Sequence, residues 1–376
     1  MTGHERCEAA IANKPVDRLP TYLPGISCEV ASKLLGRQVY TGTGSVRYAE
    51  VRSWMDGDDA HAQFVEDFYK NLTDVFRLLK VDVFRMPWRE TSKPTKQIDE
   101  YTFLFGDPDG AHWIGSYDPA SGEFGGVPGA GRAVDPEVHI TDYVDKTNAL
   151  LASEEGLSAM VSQEDLDLWK RFGDEFYYVT NGGGMGIGVD GDRLIMTLTH
   201  PDLLRRYVMV QAERAIAVGK ALAKTDMPRV LIAGGDMAGN DGPMYSPDCF
   251  RRIMLPGLTR AMAGLKEVGV HYVFRTDGNT WQVADMMFDE AGCPGYGEVD
   301  RDVGMTVGAL RERFPKLVIW GNVASSKLSS ESVSWVREER ARVIEESGGT
   351  GYFHGPSNAI LKGTPPENVL AMFGVD

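Results

Sequence analysis

Two rhythms of apolar and polar positions alternate along this chain, and each change of rhythm marks a predicted element. Apolar residues at Phe64, Val65, Phe68, Leu72, Val75, Phe76 and Leu79 recur at helical spacing and predict a helix from Phe64 to Leu79. The run Val81–Met86 then reads as a strand, with Pro87 and Trp88 just past its end. From Asp142 the alternation is regular. Helical stretches fall at Val144–Ala152, Gln163–Gly173, Pro201–Ala223, Pro247–Val268, Trp281–Ala291, Val307–Phe314, Ser332–Ser347 and Pro366–Met372. Short apolar runs fall between them at Phe176–Thr180, Arg229–Ala233, Val270–Phe274, Gly295–Val299, Leu317–Trp320 and Tyr352–His354. Strand and helix in turn over such a length predict parallel βαβ units. With Leu19–Leu23 as a first strand, the expectation is one α/β domain over residues 1–376, a single (β/α)8 TIM-like barrel.

Residues 93–134 break this rhythm. Asp99–Leu104, Ala111–Tyr117 and Gly122–Val127 alternate polar and apolar positions and are separated by Asp107-Pro108-Asp109-Gly110 and Asp118-Pro119. These are hairpin signals, and they predict a small antiparallel β insertion laid as a lid over one end of the barrel.

Charge and cysteine usage narrow the partners. A formal net charge of −15 argues against nucleic acid and against anionic membrane surfaces, both of which demand a basic face. Cys7, Cys28, Cys249 and Cys293 are too widely spaced for a zinc ribbon or a redox pair, and no disulfide framework is expected. No apolar run has the length of a membrane span, and the charged start is unlike a signal peptide, so a cytoplasmic protein is expected. The sequence is compatible with a homo-oligomer.

The candidate chemistry lies where the strands end. Arg85 and Trp88, Asn181, Asp236, Arg275 and Asp277, Glu298, Asn322 and His354 all fall at or just past predicted strand C-termini. In a barrel these positions converge on one mouth. Each alone reads equally well as a turn residue or a helix cap; their joint placement is the signal. The glycine cluster Asn181–Gly188 lacks the βαβ context and acidic residue of a dinucleotide fingerprint, so its glycines are assigned to tight turning or close ligand approach. No Walker motif, GxSxG elbow or HExxH is present.

Several longer stretches carry a resemblance. GGDMAGNDGPMYSPDCFRRIMLPGL (Gly234–Leu258), TDGN at Thr276–Asn279, IWGNV at Ile319–Val323 and the tail GPSNAILKGTPPENVLAMF together resemble the uroporphyrinogen decarboxylase superfamily over most of Ser158–Phe373. The opening ERCEAAIANKPVDRLP matches as well. The resemblance implies a barrel with its site at the C-terminal mouth, and either porphyrinogen decarboxylation or methyl transfer involving a corrinoid on a partner protein.

Departures from the family patterns separate the two. Decarboxylases of the family carry an arginine-rich motif beside the first strand, where this chain has TYLPGISCEV. Their early catalytic aspartate is replaced by Met86-Pro87-Trp88, and their C-terminal histidine by Asn358. The thiol-methylating members hold zinc through a His-x-Cys pair and a distant Cys; Arg275, Asp277 and Ser357 stand at those places, so thiolate-held zinc is not expected. Zinc on Asp236, Asp277, Glu298 or His354 has no support from spacing.

The expectation is therefore a corrinoid-dependent methyltransferase, closer to the O-demethylase-like branch. It would remove a methyl group from a methoxylated small molecule and pass it to cobalamin on a corrinoid protein. Arg275, Asp277, Asp236, Glu298 and His354 are the candidates for stabilising or protonating the leaving oxygen. Trp88, Arg85, Asn181, Tyr245, Asn279, Trp281 and Asn322 are the candidates for lining the substrate. The alternative is a carboxy-lyase acting on a small or tetrapyrrole carboxylic acid, with Arg275 holding the carboxylate.

Overall fold

A computed structural model describes residues 1–132 and 135–375 of the chain. The first strand is β1 (Val83–Arg85), followed by β2 (Lys96–Gln97), β3 (Thr102–Gly106), β4 (His112–Asp118) and β5 (Glu123–Arg132). Then come β6 (Tyr177–Asn181), β7 (Val230–Gly234), β8 (Ala238–Gly239), β9 (Gly242–Pro243), β10 (His271–Arg275), β11 (Gly295–Gly297), β12 (Val318–Trp320) and β13 (Tyr352–Phe353). Among the described residues one seven-stranded sheet runs β1-β6-β7-β10-β11-β12-β13, with every pair parallel.

The expected first strand at Leu19–Leu23 is not a strand. Its place between β13 and β1 is taken by an extended segment that bonds to both edges. Tyr22 N–H donates to the His354 carbonyl at 2.8 Å, and the Thr21 carbonyl accepts from Asp82 N–H at 3.1 Å and Val83 N–H at 3.3 Å. Pro20 and Pro24 explain the shortfall, because each removes a ladder donor and holds φ near −65°. The seven strands thus form a curled sheet whose edges this segment links.

The period of two within each strand sorts the sheet into an inner and an outer face. Val83, Tyr177, Val179, Val230, Ile232, Val273, Val318, Trp320 and Phe353 point inward and form one buried cluster with Tyr22. Their neighbours Phe84, Tyr178, Leu231, Tyr272, Phe274, Tyr296, Ile319 and Tyr352 point outward into the core beneath the helices. Trp320 stacks on Phe353 at 3.6 Å and meets Tyr22 edge-on at 5.2 Å. A fully buried aromatic side chain of this kind is worth about 3–5 kcal/mol against alanine.

Inward parity has one functional consequence. The next inward positions after Val83, Val179, Ile232 and Val273 are Arg85, Asn181, Gly234 and Arg275, which sit one layer higher at the C-terminal end of the sheet. His354, one position past β13, has the outward parity of Tyr352.

Helices cover the outer face. Pro201–Leu222 opens with proline at its first position, where no intrahelical donor is needed, and packs against Leu255–Glu267. The expected helix at Trp281–Ala291 is shortened: Trp281 to Val283 form turns, and a π-type turn occupies Met286–Glu290. At the opposite end from the mouth, buried Asp82 receives Arg6 at 2.8 Å and Arg18 at 2.6 Å, which fastens the N-terminal helix Gly3–Ile11 under the sheet.

Between β1 and the helix Pro136–Leu151 lies a four-stranded antiparallel sheet, β2-β3-β4-β5. It packs Phe103, Phe105 and Phe124 against Val51 of the helix Thr43–Met55. Residues 133 and 134, the end of the insertion expected at 93–134, lie outside the described residues. No helix among the described residues is long and apolar enough to cross a membrane.

Candidate functional site

A cavity of about 650 Å³ opens at the C-terminal end of the curled sheet. Arg85, Asn181, Ile232, Gly234 and Arg275 form its floor, and Met86, Pro87, Trp88 and Arg47 rise on one side. Asn358 and Ala359 contribute from the C-terminal tail.

The wall after β1 is stiffened by three ion pairs. Arg89 reaches the fully buried Glu50 at 2.5 Å and Glu164 at 2.8 Å, and Arg47 reaches Glu90 at 3.0 Å. Trp88 between them is 75% exposed, so it is held out into the cavity and not folded into the core. The Arg47 guanidinium lies over its ring at 4.2 Å, a cation–π contact that orients the indole.

The opposite side holds the charged groups of the TDGN stretch. Arg275 pairs with Glu298, which is only 5% exposed. Burial, then repulsion from Arg85, pushes the Arg275 guanidinium down to about 10, while Asp277 and Asp236 act the other way. Asp277 is half-buried; burial and the nearby Asp236 raise its carboxyl above the ordinary range, against the pull of Asn358 and Arg275. Asn358 Nδ2 donates to both Asp277 oxygens, at 3.1 and 3.0 Å.

Gly278 explains how these acids come together. It adopts φ +83°, and a Cβ there would sit 2.7 Å from the Ala238 carbonyl carbon. Only glycine lets the loop after β10 cross so close to the β8–β9 hairpin. Two bonds hold the crossing: Asn279 N–H donates to Gly239 O at 2.9 Å, and Met237 N–H donates to Thr276 Oγ1 at 3.2 Å. Asp236, immediately before the hairpin, is thereby set beside Asp277. Glu298 joins them from φ +61°, a left-handed conformation that costs a residue with a Cβ on the order of 1 kcal/mol or more.

Carboxylate oxygens of Asp236, Asp277 and Glu298 lie within 4.8 Å of one another. Two such charges repel by about 3 kcal/mol at an effective dielectric of about 20. A proton, Arg275 or a cation must therefore compensate the group. Three hard oxygen donors suit a divalent cation of the oxygen-seeking type. A thiolate-held zinc does not fit, because all four cysteines are buried and none lines this cavity.

Of the residues singled out in the sequence, Arg85, Trp88, Asn181 and Arg275 line the cavity, and Asp236, Asp277 and Glu298 cluster beside Arg275. The others are not brought there. His354 is 2% exposed and its Nε2 bonds to the Met372 carbonyl at 2.9 Å, under the closing helix. Its outward parity, one residue past β13, is the reason. Tyr245 is buried with its hydroxyl on Met237 Sδ at 3.7 Å. Trp281 donates to Gly304 O at 3.3 Å, and Asn279 caps the following turn through Trp281 N–H. Asn322, at φ +140°, bonds to the carbonyls of Val299 and Met305 and fastens the loop after β11. Sequence reasoning missed Asn358 as a site residue, and Arg47 and Tyr22 with it. Asn358 was marked only by the family tail motif; Arg47 lies in mid-helix and carried no signal.

The family model for uroporphyrinogen decarboxylase (URO-D) matches residues 178–375, and the chain belongs to that family. A curated relative, the uroporphyrinogen decarboxylase of Geotalea daltonii, is 26% identical over 132 residues, 35% of this chain and 37% of that protein's length. The match thus spans little more than a third of that relative. A solved methyltransferase from Methanosarcina mazei shares the fold at a TM-score of 0.62 and 18% identity, covering 100% of this chain and 98% of the other.

Proposed function

We propose that this protein is a methyltransferase that removes the methyl group from a methoxylated small molecule and delivers it to a corrinoid carried by a partner protein. The carrying observation is the Arg275–Glu298 pair set beside Asp277 and Asp236 at the mouth, with no cysteine lining the cavity. Such a site is built to handle an oxygen, not to activate a thiol. The methyltransferase fold shared with the Methanosarcina mazei protein supports the reaction class.

In the reaction the methyl–oxygen bond breaks and the oxygen keeps the electron pair. The chain's own residues manage that oxygen. Asp277, its carboxyl raised by burial and by Asp236, is the group placed to give a proton to the leaving oxygen. Arg275 donates hydrogen bonds to the developing charge without losing its own. Trp88 and the apolar floor at Ile232 and Ala233 seat an apolar body and displace water. With Asp277 ionised instead, Asp236, Asp277 and Glu298 would hold a divalent cation, which would supply Lewis acidity in place of the proton. Accepting the methyl group is the chemistry the partner's corrinoid supplies.

The test is to incubate purified protein with a reduced corrinoid protein and a panel of methoxylated arenes and alkyl ethers, and to quantify demethylated product by mass spectrometry. Failure of every ether to lose its methyl group would sink the reading. A carboxy-lyase is the second reading, favoured by the named activity of the curated relative and by the two arginines in the cavity floor. Release of carbon dioxide from an acid panel would select it.

A further inference from the structure

Of the arginines at the cavity, one lacks a carboxylate partner. Four arginines line it: Arg47, Arg85, Arg89 and Arg275. Arg47 is paired with Glu90, Arg89 with Glu50 and Glu164, and Arg275 with Glu298. Among the described residues, Arg85 has no carboxylate at ion-pair distance. Its hydrogen-bond partners are neutral: Nε donates to Asn181 Oδ1 at 2.7 Å and Nη1 to the Tyr22 hydroxyl at 3.1 Å.

Both partners are themselves held. Asn181 Nδ2 donates to the Met86 carbonyl at 2.9 Å, which sets the amide with its oxygen toward Arg85. Tyr22 is 2% exposed and packed edge-on against Trp320. The guanidinium is thus aimed by two anchored acceptors, yet two of its N–H groups are spent and the rest of the five-donor fork faces the cavity without a partner. A partly buried cation left uncompensated in this way, repelled by a second cation in Arg275, lowers its energy when an anion enters between them.

We infer that Arg85 is the binding site for a carboxylate on the substrate, so that the methoxylated molecule is a monocarboxylic acid. The methoxy half of this statement rests on the methyl-transfer reading; the carboxylate half does not. A carboxylate matches the planar fork of a guanidinium through paired N–H donors. Its single negative charge matches that of one guanidinium whose own hydrogen-bond partners are neutral. A phosphate dianion would add a second negative charge close to Asp236, Asp277 and Glu298, which already repel one another.

The experiment is equilibrium binding by calorimetry, with no corrinoid protein present. The probes are 4-methoxybenzoate, benzoate, 4-methoxybenzamide and 4-methoxyphenyl phosphate. The two acids are expected to bind at least about tenfold tighter than the amide, and Arg85→Gln to erase that difference. Arg85→Lys, which keeps the charge, is expected to restore part of it; thermal unfolding of each variant verifies folding. Equal binding of acids and amide, no binding of either acid, or an unchanged acid preference in folded Arg85→Gln would overturn the inference, as would tighter binding of the phosphate than of the acids. Acid binding through Arg85 without demethylation in the turnover assay would retain this site and reject the methyl-transfer reading.

Discussion

Asn358 and Asp277 lie 81 residues apart in the chain, and one amide nitrogen of the first bonds both carboxylate oxygens of the second, at 3.1 and 3.0 Å. This contact opposes burial and Asp236, which both raise the Asp277 carboxyl. Removing it in Asn358→Ala leaves Arg275 alone to oppose the raising causes. In the proposed proton-donating role Asp277 acts in its protonated form, so activity would decline as pH climbs through its pKa. The alkaline limb of the demethylation profile should therefore move to higher pH in Asn358→Ala. A limb that stays in place would remove Asp277 from the proton-donating role.

Arg275 and Glu298 form a pair in which the acid is almost wholly buried. Arg275→Ala strands the Glu298 charge, and urea denaturation should show a loss of about 3–5 kcal/mol. Replacing both, as Arg275→Met with Glu298→Leu, should return most of that stability while activity stays lost. If the double variant is no more stable than the single one, the pair is not an isolated charge balance.

Gly278 makes the close crossing that sets Asp236 beside Asp277. Gly278→Ala must place a Cβ against the Ala238 carbonyl at a backbone angle that alanine disfavours. Thermal melts should register a loss of about 1–3 kcal/mol, and turnover should drop by about a hundredfold as the acids part. A variant with normal turnover would show that the spacing of the acids is unimportant.

His354 is buried and His271 half-buried, and desolvation pushes each imidazole down to about 4. Their protons bind more readily in the unfolded chain, at an ordinary pKa near 6.5. The stability associated with the neutral rings is fully present above pH 6.5 and is lost as pH falls toward 4, by up to on the order of 3 kcal/mol for each ring. A series of melting temperatures from pH 7.5 to 4 should fall through that window, less steeply for His354→Gln. A slope identical in the variant would contradict the assignment.

Much of the fold was legible because period-two strands and period-3.6 helices alternate so regularly after Asp142. The eighth strand was misread at Leu19–Leu23, where apolar content suggested a strand but two prolines denied it ladder donors. Within the site, Arg85, Asn181 and Arg275 were legible as polar strand ends, and parity then carried them into the cavity. The same reasoning failed for His354, because one residue of register turns a side chain to the other face. Tyr245 and Trp281 were chosen for their aromatic character alone, which says nothing about direction; both pack into the protein beneath the hairpin and the turn. Asn358 was marked only by its place in the family tail motif, and its role was not legible because it depends on a contact across the mouth to Asp277, which no local pattern encodes.

The most direct measurement is a single-turnover reaction of the protein with reduced corrinoid protein and 4-methoxybenzoate carrying distinguishable isotopic labels in its methoxy and carboxyl carbons. Methyl transfer predicts that the methoxy label leaves the arene and the carboxyl label stays on the 4-hydroxybenzoate product. Carboxyl label appearing as carbon dioxide, with the methoxy group intact, would contradict it.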